Sequence, residues 1–456
     1  MTVRIIAIAP NDRNQEVAPM RQMRRVIVTG LGIVSPLGNN LQTFWHLLSS
    51  GQSGIAPLSS FNTASFSSCL AGEVKDFDAE DFIPRKQARR MGRVSHFAVA
   101  AALMAVRDAR LDIEHENRSE MAICLGTSIA GLREAFAAHD SMLRHQHLSP
   151  FTMSSTFPNA VSGEIAIALG INGECETYSI GCSSTANAIG RAFEMIRAGH
   201  ADVILAGGTE APLHPTIFSA MEAGRVLAPD HGGTIRDLPR PFDRRRCGMV
   251  LGEGAGCLIL EDYDHARSRG APMYAEVEGW GFTCDAYSMA RPLASGKEQK
   301  RAIDRALVTA SWFPEEVEYV NACGLGTMEL DSIETAAIKD ALGSHAYHVP
   351  ISSFKSALGH AFAASGAFQV IGTALAMEHQ FIPPTLHLTN PDPTCDLDYV
   401  ALQGRPSRIG KALINSFGFG GKNVVLALSR VDVGVRNQGP RHNVEQFQVN
   451  HLAEVS

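Results

Sequence analysis

Glu176-Thr-Tyr-Ser-Ile-Gly-Cys182-Ser-Ser-Thr-Ala-Asn-Ala-Ile-Gly190 is an extended stretch that runs into a helix of small residues, with a cysteine at the junction. That placement suits chemistry. Backbone N–H groups at a helix N-terminus stabilise an anion, so the Cys182 thiol is expected to shift toward thiolate without a basic neighbour. The same groups form an oxyanion hole when a carbonyl is bound beside the sulfur. A buried structural cysteine is the competing reading. Gly181 and the Ser183-Ser184 pair, which let a substrate approach the backbone closely, favour the chemical one.

Working outward, short β-branched runs alternate with amphipathic or Ala-rich stretches, the pattern of an α/β protein whose strands are buried on both faces. Strands are expected at 26–29, 121–126, 176–180, 202–206, 256–261, 273–280, 318–321, 349–352, 411–416 and 424–430. Helices are expected at 41–50, 87–108, 183–198, 299–310, 333–342 and 358–378. Residues 1–23 and 431–456 read as polar tails. No Pro/Gly/Ser linker separates the halves and no short repeat period is visible, so both halves are expected to share one core. The second half has room to be a diverged copy of the first, which one sequence does not demonstrate.

A thiol nucleophile needs a partner from elsewhere in the chain. Lys355-Ser-Ala-Leu-Gly-His360, followed by Ala361-Phe-Ala-Ala-Ser-Gly366, sets a histidine beside a glycine at the start of a small-residue helix. A helix N-terminus there favours a neutral ring. A satisfied core histidine is the alternative.

With these residues in view, the chain resembles the β-ketoacyl-acyl carrier protein synthases, condensing enzymes of fatty acid and type II polyketide synthesis. The resemblance spans about 24–430. It rests on Val26-Ile-Val-Thr-Gly-Leu-Gly-Ile-Val-Ser-Pro-Leu-Gly38, Gly181-Cys-Ser-Ser184, Ala206-Gly-Gly-Thr-Glu210 and Arg240-Pro-Phe-Asp243. Gly252-Glu-Gly-Ala-Gly256, Lys355-Ser-Ala-Leu-Gly-His360, Asn390-Pro-Asp392 and Asn415-Ser-Phe-Gly-Phe-Gly-Gly421 complete it. It implies a thiolase-like α/β fold: two similar βαβαβαββ halves in a five-layered α-β-α-β-α core. The half with the nucleophile would span 24–270 and the half with His360 would span 271–430.

The resemblance also implies a two-stage reaction. Cys182 takes an acyl group from a carrier protein's phosphopantetheine, and the enolate of malonyl carrier protein, formed by loss of carbon dioxide, attacks that thioester. His360 matches the second of two histidines that stabilise the malonyl oxyanion, and Lys355 matches the lysine that supports the network. The N–H groups of Cys182 and Phe419 match the oxyanion hole, Phe419 being the gate, with Phe417 beside it on the substrate side. No resident cofactor is implied, since phosphopantetheine arrives on the carrier. A dimer is implied, pairing along 176–180, with 151–157 reaching the other subunit's pocket.

The chain departs from the pattern where the first histidine should stand: Ala322 is followed by Cys323-Gly-Leu-Gly-Thr327, with Asp331 and Glu334 in their usual places. A thiol is a weak donor beside an imidazole N–H. Acylation of Cys182 is therefore expected to survive while decarboxylative condensation is weakened or lost; non-elongating ketosynthase domains of modular polyketide synthases are similar in lacking this histidine. Leu325 replaces a threonine that contacts the pantetheine arm, Thr327 being retained. Lys422 stands where Thr is usual, and Gln369 replaces a glutamate. A second class of reading is a chain-length-factor-like subunit that pairs with a complete ketosynthase. Cys323 favours it and the retained Cys182 opposes it. A bond between Cys182 and Cys323 is also weighed, against a reducing cytoplasm.

Composition bounds the rest. The 456 residues are 45% apolar, with 40 basic and 47 acidic side chains and a formal net charge of −7, which excludes a disordered chain and lacks the footprint of a nucleic-acid binder. Nine cysteines, without a CxxC pair, give neither a disulfide framework nor a zinc site. His139, His145 and His147 read as a solvated segment, not a metal site. Asp243-Arg-Arg-Arg246 reads as an exposed turn, and this run and the arginines of 85–93 are candidate patches for an acidic carrier protein. Gly30-Leu-Gly32 and Gly420-Gly-Lys422 are incomplete nucleotide motifs. No apolar run reaches the length of a membrane span, and a cytoplasmic chain is expected.

Overall fold

Ten strands join into one sheet in the computed structural model, which describes residues 23–229 and 238–431. The expected tails at 1–23 and 431–456 lie, apart from Met23 and Val431, outside the described residues. The strands are β1 (Val26–Val34), β2 (Ala122–Gly126), β3 (Cys175–Tyr178), β4 (Val203–Glu210) and β5 (Gly254–Asp262). The second set is β6 (Ala275–Cys284), β7 (Tyr319–Asn321), β8 (Ile351–Ser352), β9 (Lys411–Gly418) and β10 (Lys422–Ser429).

Their order establishes the duplication. The first half runs β1-β5-β4-β2-β3 and the second β6-β10-β9-β7-β8, the same order shifted by one set. In each half the first two pairings are antiparallel and the last two parallel. The halves meet where β1 pairs antiparallel with β6, Ile27 opposite Glu276.

Six helices cover the sheet: α1 (Arg93–Asp108), α2 (Ala160–Leu169), α3 (Ser184–Ala198), α4 (Lys297–Ala310), α5 (Met328–Leu342) and α6 (Ala364–His379). α1 packs on β1 and β5, α4 packs on β6 and β10, and α3 and α6 pack on each other between the two half-sheets. The layers are therefore helix, sheet, helix pair, sheet, helix. A helix sandwiched between sheets must be apolar and slim all round, and every residue of α6 from Ala364 to Met377 is buried. The strands obey the same constraint: β1, β4 and β5 are buried at every position, which removes the alternation a half-buried strand would show.

Glycine explains one sequence motif. A Cβ on Gly32 would lie 2.0 Å from the Ala101 carbonyl oxygen and one on Gly30 2.3 Å from that of Ala105, so these glycines bring α1 onto β1. Their role is helix–strand packing.

Two expected helices are broken. Arg85–Ala88 and α1 replace a helix over 87–108, because the chain is extended at Gly92 before α1. The helix expected over 358–378 is split into Lys355–Leu358 and α6 by Gly359, which sits at φ +72. This break leaves His360 in a loop. The helices Leu132–Leu143, α2 and Pro215–Ala223 were not anticipated by periodicity. Among the described residues no helix is long and apolar enough to cross a membrane.

Candidate active site

The turn after β3 carries Cys182. Gly181 adopts φ +85, Ser183 caps α3, and the Ser183 Oγ lies 2.9 Å from the Ser416 carbonyl oxygen and 2.8 Å from that of Lys422. The hydroxyl thereby ties the Cys182 turn to the β9–β10 connection. A Cβ on Gly418 would lie 3.2 Å from both the Cys182 Cβ and its backbone nitrogen, so a side chain there would push the cysteine turn back by a few tenths of an ångström.

From the equivalent turn of the second half comes His360. Its Nε2 lies 3.2 Å from the Cys182 Sγ and its Nδ1 lies 3.2 Å from the Ser365 Oγ. Both Cys182 and His360 are buried. Burial, then the nearby Lys355 cation, holds the imidazole well below its usual pKa, so the ring is neutral. Burial also pushes the Cys182 thiol up to about 12, against the Phe419 N–H that faces it and the Lys355 charge. This corrects the expectation of a thiol shifted toward thiolate: desolvation outweighs the helix terminus. The resting pair is a thiol against a neutral imidazole, with one proton to pass between them.

Beneath this pair lies a polar network that takes in Cys323 and Gln369. The Cys323 and Gly324 N–H groups each donate to Glu334, at 2.8 Å. Lys355 Nζ donates to the Cys323 carbonyl at 2.8 Å and to the Gln369 Oε1 at 3.4 Å. The Gln369 Nε2 faces the Asn321 Oδ1 at 2.8 Å and the Asn415 carbonyl at 3.0 Å. Asn415 donates to Glu334 at 2.9 Å. The Cys323 thiol itself donates to the Phe417 carbonyl, 3.4 Å away. Burial raises it to about 11, with Lys355 opposing, so it is neutral.

A cavity of about 440 Å³ opens over the pair. Cys182, His360, Phe417, Phe419, Leu325 and Thr327 line it. Lys355 and Cys323 lie behind its wall, and Lys422, expected to contact substrate, does not line it. The Lys422 Nζ instead donates to the Cys284 Sγ at 3.3 Å. Sequence reasoning missed Arg225, Cys247 and Arg291, which also line the cavity from loops that carry no motif. It also missed Ser365, although its spacing of five from His360 suits a loop leading into a helix.

The Asp243–Arg246 turn is only half exposed. Arg244 and Arg245 face solvent, but Asp243 and Arg246 are buried. Arg246 donates to the Thr327 and Met328 carbonyls at 2.9 Å and to Asp392 at 2.7 Å. Asp331 accepts from the N–H groups of Phe242 at 2.9 Å and Leu325 at 3.0 Å, and burial raises it to about 7. These charges hold the 325–327 wall of the cavity. All nine cysteines are free, Cys182 and Cys323 included. Among the described residues no group of three His, Cys, Asp or Glu is placed to hold a metal ion.

Comparison with known proteins places this geometry. The family model described as the β-ketoacyl synthase N-terminal domain matches residues 23–266, and the C-terminal domain model matches 274–389. A 3-oxoacyl-[acyl-carrier-protein] synthase 2 from Synechocystis sp. is 42% identical over 411 residues, 90% of this chain and 99% of that protein. Among solved structures, a type II polyketide synthase acyl-carrier protein in complex with its ketosynthase, bound to the hexaketide, matches at a TM-score of 0.83 and 34% identity. The match covers 90% of this chain and 100% of that one. The ishigamide ketosynthase/chain length factor matches at a TM-score of 0.84 and 33% identity, with the same coverage.

Proposed function

The chain belongs to the β-ketoacyl synthase family, and from that membership we propose that it loads an acyl group from an acyl carrier protein onto Cys182 and is weak in the condensation that follows. The observation that carries this reading is a contrast. His360 stands 3.2 Å from the Cys182 sulfur in an open cavity, while the first-histidine position holds a neutral thiol turned toward the Phe417 carbonyl.

In loading, the Cys182 proton passes to the His360 Nε2 as the sulfur attacks the carrier thioester. The tetrahedral oxyanion is held by the Cys182 and Phe419 N–H groups, and the pantetheine sulfur leaves with the proton from His360. Neither step uses Cys323. Condensation asks more, because malonyl carrier protein must lose carbon dioxide and hold an enolate oxyanion before its carbon attacks acyl-Cys182. With its one proton moved from Nδ1 to Nε2, the neutral His360 supplies one donor to that oxygen; the Cys323 thiol is directed elsewhere and is a poor donor. Loss of one oxyanion donor costs on the order of 10²–10³ in rate. Lys355 orders the Cys323 backbone, and its charge adds to the burial that keeps His360 neutral.

Phosphopantetheine comes and goes with the carrier, so the chain has no resident cofactor in this reading. Its place is the cytoplasm, in fatty acid or polyketide synthesis. The partner across the β3 edge is a second copy or a ketosynthase homologue. Among the described residues β3 is paired on one side only, through β2, and Met153, Phe157 and Ile167 are exposed. The second reading, a chain-length-factor-like subunit serving a complete ketosynthase, is favoured by Cys323 alone and weakened by the intact Cys182–His360 pair.

Intact-protein mass spectrometry with acyl-phosphopantetheine donors tests the loading. The proposal expects one acyl adduct, absent in Cys182→Ala. No adduct on the isolated chain would reject it in favour of the partner-subunit reading.

A further inference from the structure

Lys422 has no part in the reaction just described, and its position accounts for it otherwise. It pairs across the strands with Cys284, at the ends of β10 and β6, and both side chains are partly exposed. Their reactive atoms, Nζ and Sγ, lie 3.3 Å apart. The Cys284 thiol is directed at the Gly420 carbonyl, 3.8 Å away. Gly420 and Phe419 line the cavity, and the turn they form is braced by the Asp285 N–H on the Gly421 carbonyl at 2.9 Å. A thiol and an amine thus touch immediately behind the wall that carries Phe419.

We propose that Cys284 and Lys422 are a covalent modification site, where a peroxide oxidises the thiol and the lysine amine closes an S–N bond to it. The Cys284 sulfur attacks one peroxide oxygen, the O–O bond breaks, and a sulfenic acid and water result. Lys422, after its ammonium proton passes to solvent, attacks the sulfenic sulfur. The S–N bond forms, the S–O bond breaks, and the hydroxyl leaves as water with a proton from the amine. Sulfur loses two electrons and the peroxide gains them. Reduction by a thiol reverses the bond.

Proximity makes this pair different from the exposed thiols of Cys175 and Cys247. An amine already in contact with the sulfur closes the bond as an intramolecular step, at high effective concentration. Cys175 and Cys247 are exposed, yet among the described residues no hydrogen bond reaches either sulfur. They should stop at the sulfenic acid. The cross-link would tie the end of β6 to the start of β10 beneath the Phe419 turn.

The test is peptide mass mapping of the full chain after hydrogen peroxide. The expected product joins the peptide containing Cys284 to that containing Lys422, two hydrogens lighter than their sum, and separates with dithiothreitol. In Lys422→Arg the cross-link should vanish, with Cys284 carrying one added oxygen or a dimedone adduct. Three results would overturn the proposal. They are oxygen addition at Cys284 without the cross-link in the natural chain, an untouched Cys284 where Cys175 and Cys247 oxidise, and a cross-link that survives in Lys422→Arg. None of these outcomes depends on whether Cys182 is acylated.

Discussion

The two halves share one strand order and one sequence of parallel and antiparallel pairings, but they divide the chemistry unequally. The turn after β3 gives Cys182, and the corresponding turn after β8 gives His360. Even the supporting acids correspond. Glu210 accepts the Ser128 and Ile129 N–H groups after β2, as Glu334 accepts those of Cys323 and Gly324 after β7. The sources differ: Glu210 ends a strand, whereas Glu334 comes from helix α5. Among the described residues only the second half adds a buried ammonium, Lys355, hydrogen-bonded to the backbone beside Cys323. Duplication thus provides two facing turns, and the exchange of a few buried polar groups decides what each turn does.

The largest expected effect comes from removing the group with no counterpart. Lys355→Met leaves Glu334 facing a network without its cation, and loss of one partner from a buried charge cluster costs about 3–5 kcal/mol. Urea unfolding should show a loss of that size, with Cys182 loading abolished. If both were unchanged, the second half would not rely on its ammonium.

Gly418→Ala attacks the contact between the halves. Its Cβ would stand 3.2 Å from the Cys182 backbone nitrogen, where β9 cannot move without disturbing the Ser183 anchor. Loading should fall at least about tenfold, because small misplacements of a nucleophile cost that much or more. Stability should change less than in Lys355→Met. Rate and melting temperature measured together separate the two effects.

The third test follows the acid of the first half, Glu210, by pH. Burial raises Glu210 to about 6. A carboxyl with a raised folded-state pKa contributes stability that is fully present below its unfolded pKa and is lost as pH climbs through its folded value. The window is therefore about pH 4 to 6, and the loss is roughly 2 kcal/mol for a shift of this size. Unfolding free energies of the natural chain should fall across that window relative to Glu210→Gln. A constant difference would mean that the Ser128 and Ile129 N–H groups fully compensate the buried charge.

The smallest effect belongs to the outer layer. Lys300 and Asp304 pair on α4 at 2.7 Å, with side chains 38% and 39% exposed. Lys300→Ala should shift the unfolding free energy by less than about 0.5 kcal/mol. A larger loss would place charge pairing on the helices, rather than the buried turns, among the features that distinguish the halves.

Cys182 and His360 were legible in the sequence because small residues beside a reactive one mark a helix start, and each marks one turn. The duplication was legible only through the resemblance, not through periodicity. β1, β4 and β5 are buried on both faces, so their residues carry no alternation that an eye for repeats can align. Leu132–Leu143 escaped because none of its residues is buried, and α2 because it buries Ile165 while exposing Ile167. Lys422 was misplaced because a strand's first residue can point to either side; its register opposite Cys284 decides the matter. The Asp243–Arg246 turn misled for a related reason. Charge density looks the same in sequence whether an arginine meets water or, like Arg246, three carbonyls and a carboxylate.

Loading without efficient extension is the central asymmetry, and one measurement reaches it directly. Acyl-loaded protein is mixed with malonyl carrier protein and the decay of the Cys182 adduct is followed by mass in the natural chain and in Cys323→His. The account predicts equal loading in both and extension faster in the variant by on the order of 10²–10³. Equal extension rates in the two proteins would contradict it.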